Sequence, residues 1–213
     1  MKTMNFNEFD RELLDDMFGL KQVRLNAVLT NWMEKSKIIN VTEFEKTFLL
    51  NIQNPLIDKV DYWNEQELIE NFVGPLFALV NFNSLEYGLF SERPMTAIVD
   101  GIELFGKPDA VIAKGRYSPK IPYFCLHEYK KENEPKGDPA GQCLVAMLVA
   151  QELNNNLRPL YGVVVKGMML TFIVLNGKEY AISKPFKAVD EDIYDIVKLL
   201  KHLKTIIEEY VKQ

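Results

Sequence analysis

Two carboxylates and a lysine in the middle of the chain have the types and the spacing needed for metal-assisted chemistry. Asp109 follows a proline at the head of the apolar run 110–113, and Glu128 and Lys130 end the strand-like run 123–130. If the two runs pair in a sheet, their polar ends meet at one edge of it. Burying charge is costly unless the charge is paired or binds a metal, so this placement needs a chemical reason.

The three side chains could assist the hydrolysis of a phosphodiester bond. The carboxylates of Asp109 and Glu128, with the backbone carbonyl of Tyr129, offer hard oxygen ligands that suit Mg²⁺ or Mn²⁺ with several waters retained. Such an ion lowers the pKa of a bound water and polarises a phosphoryl oxygen. The Lys130 ammonium can orient the attacking water or stabilise the charge that develops on the phosphate.

Side-chain alternation along the second run decides which residues share a face with these charges. It places Phe124, Leu126, Glu128 and Lys130 on one face, and Cys125, His127 and Tyr129 on the other. His127 therefore points away from Glu128, and we expect it to be structural. Two simpler interpretations stay open: Glu128 and Lys130 as an exposed cross-strand pair, and Asp109 as a turn residue after proline.

A helix that begins near Asn64 can bring a further acid to the site. Asn64 is a suitable N-cap, Glu67 follows three residues later, and helical apolar spacing continues as far as Val80. Pro75 lies inside this pattern and predicts a kink, or a break just before it. The spacing therefore predicts a helix over 64–80 that is distorted in its middle.

Three acids in the first turns of this helix are candidates for the additional acid. Glu65 continues the buried face, because Leu68 and Phe72 follow it at spacings of three and seven residues. Glu67 and Glu70 point more to the side, so Glu65 is preferred. Each of the three could instead be a first-turn acid that the helix dipole favours.

The remaining elements predict a mixed sheet flanked by helices, a fold of the mixed α+β class. Strands are predicted at 95–99, 102–105, 110–113, 123–130, 161–165, 169–175 and 179–183, with hairpin turns at 100–101 and 176–177. A buried helix is predicted over 142–153 and an amphipathic helix over 190–210. Residues 5–55 show helical spacing, so we divide the chain into a helical N-terminal extension, 1–60, and a sheet-containing domain, 61–213.

Composition and charge narrow the classes of partner and compartment. The chain has 213 residues, 47% of them hydrophobic, and no apolar run approaches the ~20 residues that span a bilayer. The N-terminus lacks the apolar segment of a signal peptide. Cys125 and Cys143 lie in apolar runs without CxxC spacing, which is typical of free thiols in a reducing compartment. These features predict a cytoplasmic protein that does not bind membranes.

The net charge of −5 hides an asymmetry along the chain. Residues 101–187 carry 12 Lys and Arg against 8 Asp and Glu, whereas the remainder carries 13 against 22. The segment with the candidate site is thus the basic part of an acidic protein, although chance patterning could give the same result. The candidate phosphate contacts in this segment are Lys107, Lys114, Arg116, Lys120, Lys131 and Lys136.

These residues resemble the signature of a known superfamily. Pro108-Asp109, followed by Glu128-Tyr129-Lys130 on the next strand, is similar to the bipartite motif of the PD-(D/E)XK nucleases. The helix from Asn64 resembles the one that supplies an additional acid there, and it is similar to the opening helix of the nuclease domain in type I restriction enzyme motor subunits. Gln142 fits the glutamine that recurs on the helix after the lysine strand. The resemblance covers about residues 62–183.

The resemblance implies a restriction-endonuclease-like core and a hydrolase that depends on Mg²⁺ or Mn²⁺. Asp109, Glu128 and Lys130 would be catalytic, with Glu65 as the additional acid and Gln142 orienting substrate or lysine. The implied partner is nucleic acid, with DNA preferred over RNA. The chain departs from the type I restriction pattern at two positions, Ile69 in place of an arginine and Ala146 in place of a tyrosine.

Two alternatives to an independent nuclease stay open. The negative net charge and the acidic N-terminal part suit a non-catalytic interaction or regulatory protein that keeps the nuclease fold. The chain could also be a nuclease subunit that needs a second copy or a partner chain to recognise its substrate. Metal titration with a plasmid-nicking assay separates these possibilities.

Overall fold

The strands of the protein form two sheets that share one buried helix. The computed structural model describes residues 2–134, 137–155 and 158–212. The strands in this part are β1 (Lys2–Asn5), β2 (Lys21–Gln22), β3 (Tyr87–Ser91), β4 (Met95–Val99), β5 (Ile102–Gly106), β6 (Ala110–Lys114), β7 (Lys120–Lys130), β8 (Leu160–Lys166), β9 (Met169–Asn176), β10 (Glu179–Ile182) and β11 (Phe186–Lys187).

The helices cover both faces of the larger sheet. Those in the described part are α1 (Arg11–Phe18), α2 (Ala27–Ser36), α3 (Glu43–Lys59), α4 (Glu65–Leu68), α5 (Gly74–Val80), α6 (Pro139–Leu153) and α7 (Asp192–Val211). A single 3₁₀ turn, Phe6–Glu8, precedes α1, and a π-helical turn, Ile69–Val73, joins α4 to α5. No helix within the described ranges is long and apolar enough to cross a membrane.

The central sheet is mixed, as predicted. Its described strands run in the order β2-β10-β9-β8-β7-β6-β3, with β11 paired to β9. β6 and β7 are antiparallel, whereas β7 and β8 are parallel. Parallel neighbours need a long crossover connection, and α6 provides it. The smaller sheet has the order β1-β5-β4, and it was not predicted as a separate sheet.

Two hydrophobic cores lie on the two faces of the central sheet. One core packs α2, α3, α5 and α7 around large side chains such as Trp32, Phe72 and Phe172. The other packs α6 between the central sheet and the smaller sheet, with Leu104 and Leu144 fully buried. The prediction of a buried helix over 142–153 is therefore confirmed, and this helix has a sheet on either side.

The prediction of helical structure throughout residues 5–55 is wrong at its beginning. β2 lies inside this segment and pairs with β10, whereas β1 ends at Asn5 and is parallel to β5. The predicted helical extension, 1–60, thus contributes a strand to each sheet. Asn5 and Asp10 both have extended backbones and cap the elements that follow them, which splits the apparent helix of Phe6 and Phe9 into a 3₁₀ turn and α1. The division of the chain at residue 60 stays a prediction.

The distorted helix before the central sheet is confirmed. Asn64 and Glu67 form the predicted reciprocal cap at the start of α4. The helix then widens into the π turn, where the Gly74 N–H donates to Ile69 O, before α5 begins with Pro75 in its first turn. Proline lacks the N–H that a regular helix would need there, which explains the position of the distortion.

A β-bulge corrects the predicted faces of β7. Ile112 lies opposite Cys125, but Ala113 lies opposite Tyr123, so Phe124 is the extra residue. Phe124 therefore packs with Cys125 in the core around Phe172 rather than with Leu126. Alternation from Leu126 onward is regular, so the predicted faces of the charged residues at the strand end are unaffected.

Candidate active site

The ends of β6 and β7 bring Asp109 and the Glu128–Lys130 segment together. The strands are antiparallel with Ala110 opposite His127, so Asp109 lies beside Glu128 and Tyr129. The Tyr129 N–H donates a hydrogen bond of 2.5 Å to Asp109 Oδ2. This bond replaces a sheet hydrogen bond just beyond the last paired residue of β6, and it fixes the carboxylate at the sheet edge.

Lys130 lies between two carboxylates. Its Nζ is 2.8 Å from Glu128 Oε1 and 3.6 Å from Glu65 Oε1 on α4. The side chain of Glu128 is only 9% exposed and that of Lys130 is 18% exposed, so their ion pair is largely shielded from water. The interpretation of Glu128 and Lys130 as an exposed cross-strand pair is therefore wrong.

Of the three candidate acids on the distorted helix, Glu65 is the one that contacts Lys130. Glu67 is engaged in the helix cap, where its Oε2 accepts from the Asn64 N–H at 2.8 Å. The carboxylate of Glu70 accepts from Gln66 Nε2 at 2.9 Å and is exposed. The preference for Glu65, which came from the buried face of the helix, agrees with this geometry.

The site carries more negative charge than its single lysine neutralises. Burial raises the pKa of Glu128 to about 7, and the charge of Asp109 adds to this rise against the opposing effect of Lys130. Burial also raises the pKa of Asp109, although the Tyr129 N–H and Lys130 oppose the shift. Burial alone would lower the pKa of Lys130, but the carboxylates of Glu128, Asp109 and Glu65 outweigh it and raise the pKa.

The donor set fits a hard divalent cation that keeps much of its water. Within the described ranges, no three His, Cys, Asp or Glu side chains lie together in a way that could hold a metal ion. Mg²⁺ needs no such cage, because one or two carboxylates with waters are its usual protein ligands. The carboxylates of Glu128, Asp109 and Glu65 outnumber the one ammonium, that of Lys130, that lies between them, and a bound dication would relieve their mutual repulsion.

The backbone N–H and carbonyl of Tyr129 lie on the side of β7 that faces Asp109. A strand residue presents its N–H and its carbonyl to the same neighbouring strand. The Tyr129 N–H points to Asp109, so its carbonyl faces that side too, whereas the Lys130 carbonyl accepts from the Gly167 N–H on the other side. The predicted third oxygen ligand therefore lies on the Asp109 side of β7.

Gln142 lies in the first turn of α6, which packs against β7. Its Nε2 donates to Asn7 Oδ1 at 3.4 Å, and its Oε1 is buried without a hydrogen-bond partner among the described residues. The amide thus has an unused acceptor, but its described contact links it to Asn7 rather than to Lys130. Its predicted role in orienting substrate or lysine stays a prediction.

The candidate phosphate contacts divide between the two ends of the sheet. Lys107 is exposed two residues before Asp109, and Lys131 is partly exposed with Glu134 at 3.8 Å. Lys114 and Lys120 pair at the other end of β6 and β7, about 16 Å from Asp109 at ~3.3 Å per residue, and Arg116 lies in the turn between them.

The prediction that Lys114, Arg116 and Lys120 contact phosphate at this site is therefore corrected. Their positive charge is evident in the sequence, whereas the end of the hairpin at which it lies depends on the pairing of β6 with β7. Lys136 lies outside the described residues.

Two basic residues at the correct end of the sheet were missed. Lys166 ends β8 directly opposite Lys130, on the face shared by Glu128, because β7 and β8 are parallel and in register. Arg93 follows β3, whose last residue, Ser91, lies opposite Ala110. Both are exposed, and neither forms an ion pair within the described part of the chain. Their position follows from strand pairing, which local sequence does not reveal.

His127 lies on the face of β7 opposite to that of Glu128, as predicted. Its Nδ1 forms a 2.6 Å hydrogen bond with the Tyr129 hydroxyl, and its ring centroid lies 4.7 Å from that of Phe77, with the two ring planes tilted by 40°. Burial lowers the pKa of His127 to about 3, so the imidazole is neutral. The pair stiffens the strand segment whose backbone binds Asp109.

The chain was compared with models of protein families and with curated proteins. No model of a protein family matches the chain, and no curated protein matches it either. The interpretation of the site therefore depends on its geometry and chemistry.

Proposed function

We propose that the protein is a metal-dependent nuclease with a PD-(D/E)XK-type site on a restriction-endonuclease-like core. The observation that carries the proposal is the cluster of the carboxylates of Glu128, Asp109 and Glu65 around the shielded Lys130 at the edge of the sheet. Uncompensated buried carboxylates are costly, so they favour a site that binds a cation. The order of helix acid, Asp109, Glu128, Lys130 and Gln142 along the chain supports the same class.

Each residue has a role that follows from its position. Asp109, Glu128 and the carbonyl of Tyr129 would hold Mg²⁺ or Mn²⁺, which would polarise a phosphoryl oxygen and lower the pKa of a bound water. Lys130 orients the attacking water and stabilises charge on the phosphate. Glu65 restrains the Lys130 ammonium from the helix side. Gln142 has a buried Oε1 without a partner in the described part of the chain, and we propose that a change of its side-chain rotamer would let it orient Lys130 or the substrate.

Basic side chains at the ends of three neighbouring segments would hold the nucleic-acid backbone. Arg93, Lys107 and Lys166 are exposed around the carboxylates, with Lys131 beside them. Phosphate contacts of this kind position a nucleic acid without reading its sequence. DNA is the preferred substrate, as the resemblance to restriction enzymes implies.

Plasmid nicking with and without Mg²⁺ tests the proposal. Wild-type protein should convert supercoiled plasmid to the nicked form only with the metal. Lys130→Ala should reduce the rate by about 100-fold or more, because it removes charge stabilisation at the reacting phosphate. Lys198→Ala is the matched control, since Lys198 pairs with Asp195 on α7. Equal background rates for wild type and Lys130→Ala would refute the proposal.

A partner-dependent or non-catalytic protein is the second candidate. The observation that favours it is the charge of −5 for the whole chain, which opposes nucleic-acid binding by the isolated protein. A protein that binds Mg²⁺ but nicks plasmid only after cell extract is added would support the partner-dependent form. A protein that binds metal and never nicks would support the non-catalytic form.

A further inference from the structure

A groove on the outer side of the smaller sheet opens beside the candidate active site. It has a volume of about 560 Å³. Its lining includes one aromatic ring, two amide side chains, a hydroxyl and a lysine. These residues are Phe105, Asn5, Asn7, Thr96 and Lys107.

Phe105 is the exposed aromatic residue of this groove. It lies on β5 between Thr96 of β4 and Asn5 of β1, which are its register partners on either side. Its side chain is 40% exposed, although a phenylalanine gains by burial. On the inner side of the same strand, the ring of Phe6 fills the space beside Gly106, where an added Cβ would approach it to 2.3 Å. The strand that presents Phe105 is therefore firmly supported.

The groove lies close to the candidate active site along the chain. Lys107 lines it and is separated from Asp109 by a single proline, and three residues from Gly106 to Asp109 span at most about 11 Å. On the other side, Asn7 accepts the hydrogen bond from Gln142. A nucleic-acid strand bound at Asp109 would need to bridge only the distance between Asp109 and Gly106 to reach the groove.

The charges around the groove suit an anionic strand that enters from the Lys107 side. Of the nearby acids, Glu8 is bound to the Asn5 N–H, and Glu103 accepts from the Thr3 hydroxyl. Glu103 lies two residues before Phe105, away from Lys107. Towards the candidate site, Lys107 and Arg93 share the rim with one exposed acid, Glu92, whose N–H donates to Asp109 O. Basic residues therefore outnumber acids on that side of the groove.

We propose that this groove binds an unpaired nucleobase of the substrate, with Phe105 as the stacking platform and Lys107 on the adjoining phosphate. The inference rests on the proposed nuclease function and gives its preferred substrate: nucleic acid with an unpaired base, as in a single strand, a single-stranded end or an unwound stretch of supercoiled plasmid. Aromatic side chains stack on any exposed base, and amides bind base edges. A base inside a duplex is already stacked and cannot reach Phe105.

Binding and cleavage of matched oligonucleotides test the proposal. The probes are a fluorescein-labelled 12-nucleotide single strand and its blunt duplex, measured by anisotropy with Ca²⁺ in place of Mg²⁺. Phe105→Ala should weaken single-strand binding by about tenfold and leave duplex binding unchanged. Phe105→Tyr should bind the single strand as tightly as the wild type does, because the aromatic ring is kept. Ile98→Ala is the control, since Ile98 is an exposed apolar residue on the same sheet that does not line the groove.

The outcomes separate this inference from the function on which it rests. If the protein cleaves plasmid but Phe105→Ala and Ile98→Ala bind both probes equally well, the groove is not a base site and the nuclease proposal survives. If neither probe binds and plasmid is not cleaved, the function and the groove fail together. In cleavage with Mg²⁺, the single strand should be cut faster than the duplex, and the reverse order would also overturn the inference.

Discussion

At the scale of single residues, Glu128 is a carboxylate in a buried position, where its ionised form is costly. Its carboxylate is nearly inaccessible, lies next to Asp109, and has one ammonium to share with Glu65. A folded protein gains nothing from such a cluster unless something neutralises it. The cluster is therefore better explained as a functional site than as a stabilising one.

The raised pKa of Glu128 gives a pH dependence with a definite sign. The folded value of about 7 exceeds the ordinary value of 4.5, so the favourable contribution is complete below pH 4.5 and is lost as the pH rises through 7. Metal-free protein should thus lose on the order of 1–3 kcal/mol relative to Glu128→Gln between pH 4.5 and pH 8. Urea unfolding in EDTA measures this difference. The same pH dependence in wild type and variant would contradict it.

At the scale of elements, the position of Glu65 depends on the cap of α4. Asn64→Ala removes the side-chain acceptor that fixes the first turn, so it should cost about 1 kcal/mol and also lower nuclease activity. Thr42→Ala is a matched control, because Thr42 and Glu45 form the same kind of cap on α3, and Glu45 is bound to Lys201 rather than to the site. Urea unfolding and plasmid nicking are measured for both variants.

The two variants should therefore differ in nicking activity but lose similar free energies of unfolding. An equal loss of nicking by Asn64→Ala and Thr42→Ala would show that Glu65 matters only through global folding.

The position of a lysine at one or the other end of the sheet supports a second prediction at the scale of elements. Lys166→Gln should weaken DNA binding and lower the slope of log K against log salt by about one, as for one lost phosphate contact. Lys114→Gln, at the far end of β6, should leave the slope unchanged although it removes the same charge. Anisotropy titrations at several salt concentrations give both slopes. Equal changes in the two slopes would mean that only net charge matters.

Sequence predicted those features that depend on local physics. The cap at Asn64, the distortion before Pro75 and the meeting of Asp109 with Glu128 follow from side-chain chemistry and spacing, and the structure confirms all three. Features that depend on distant pairing were missed. Lys166 gains its significance from lying opposite Lys130, and β1 exists because β5 offers it an edge.

At the scale of the whole molecule, α6 unites the two sheets. It is buried along most of its length between the smaller sheet and the central sheet, while the second core lies on the far side of the central sheet. The candidate site is at the end of β7, which contacts both cores. Its geometry should therefore depend on the folding of the molecule as a unit.

A core substitution on one side tests this cooperativity. Leu144→Ala, in the core around α6, should cost about 2–5 kcal/mol because it leaves a cavity. Both tryptophans, Trp32 and Trp63, lie in the other core. The midpoint of urea unfolding followed by tryptophan fluorescence should fall as far as the midpoint followed by circular dichroism. An unshifted fluorescence midpoint would show that the cores unfold separately.

A crystal soaked with Mn²⁺ tests the assignment of the metal site most directly. An anomalous peak is expected within about 2.0–2.6 Å of carboxylate oxygens of Asp109 and Glu128 and of the Tyr129 carbonyl, the range for hard cations bound by oxygen. Lys130 should then lie beside the bound ion rather than against Glu128 alone. A fully soaked crystal with no peak at these three oxygens would contradict the metal-dependent nuclease.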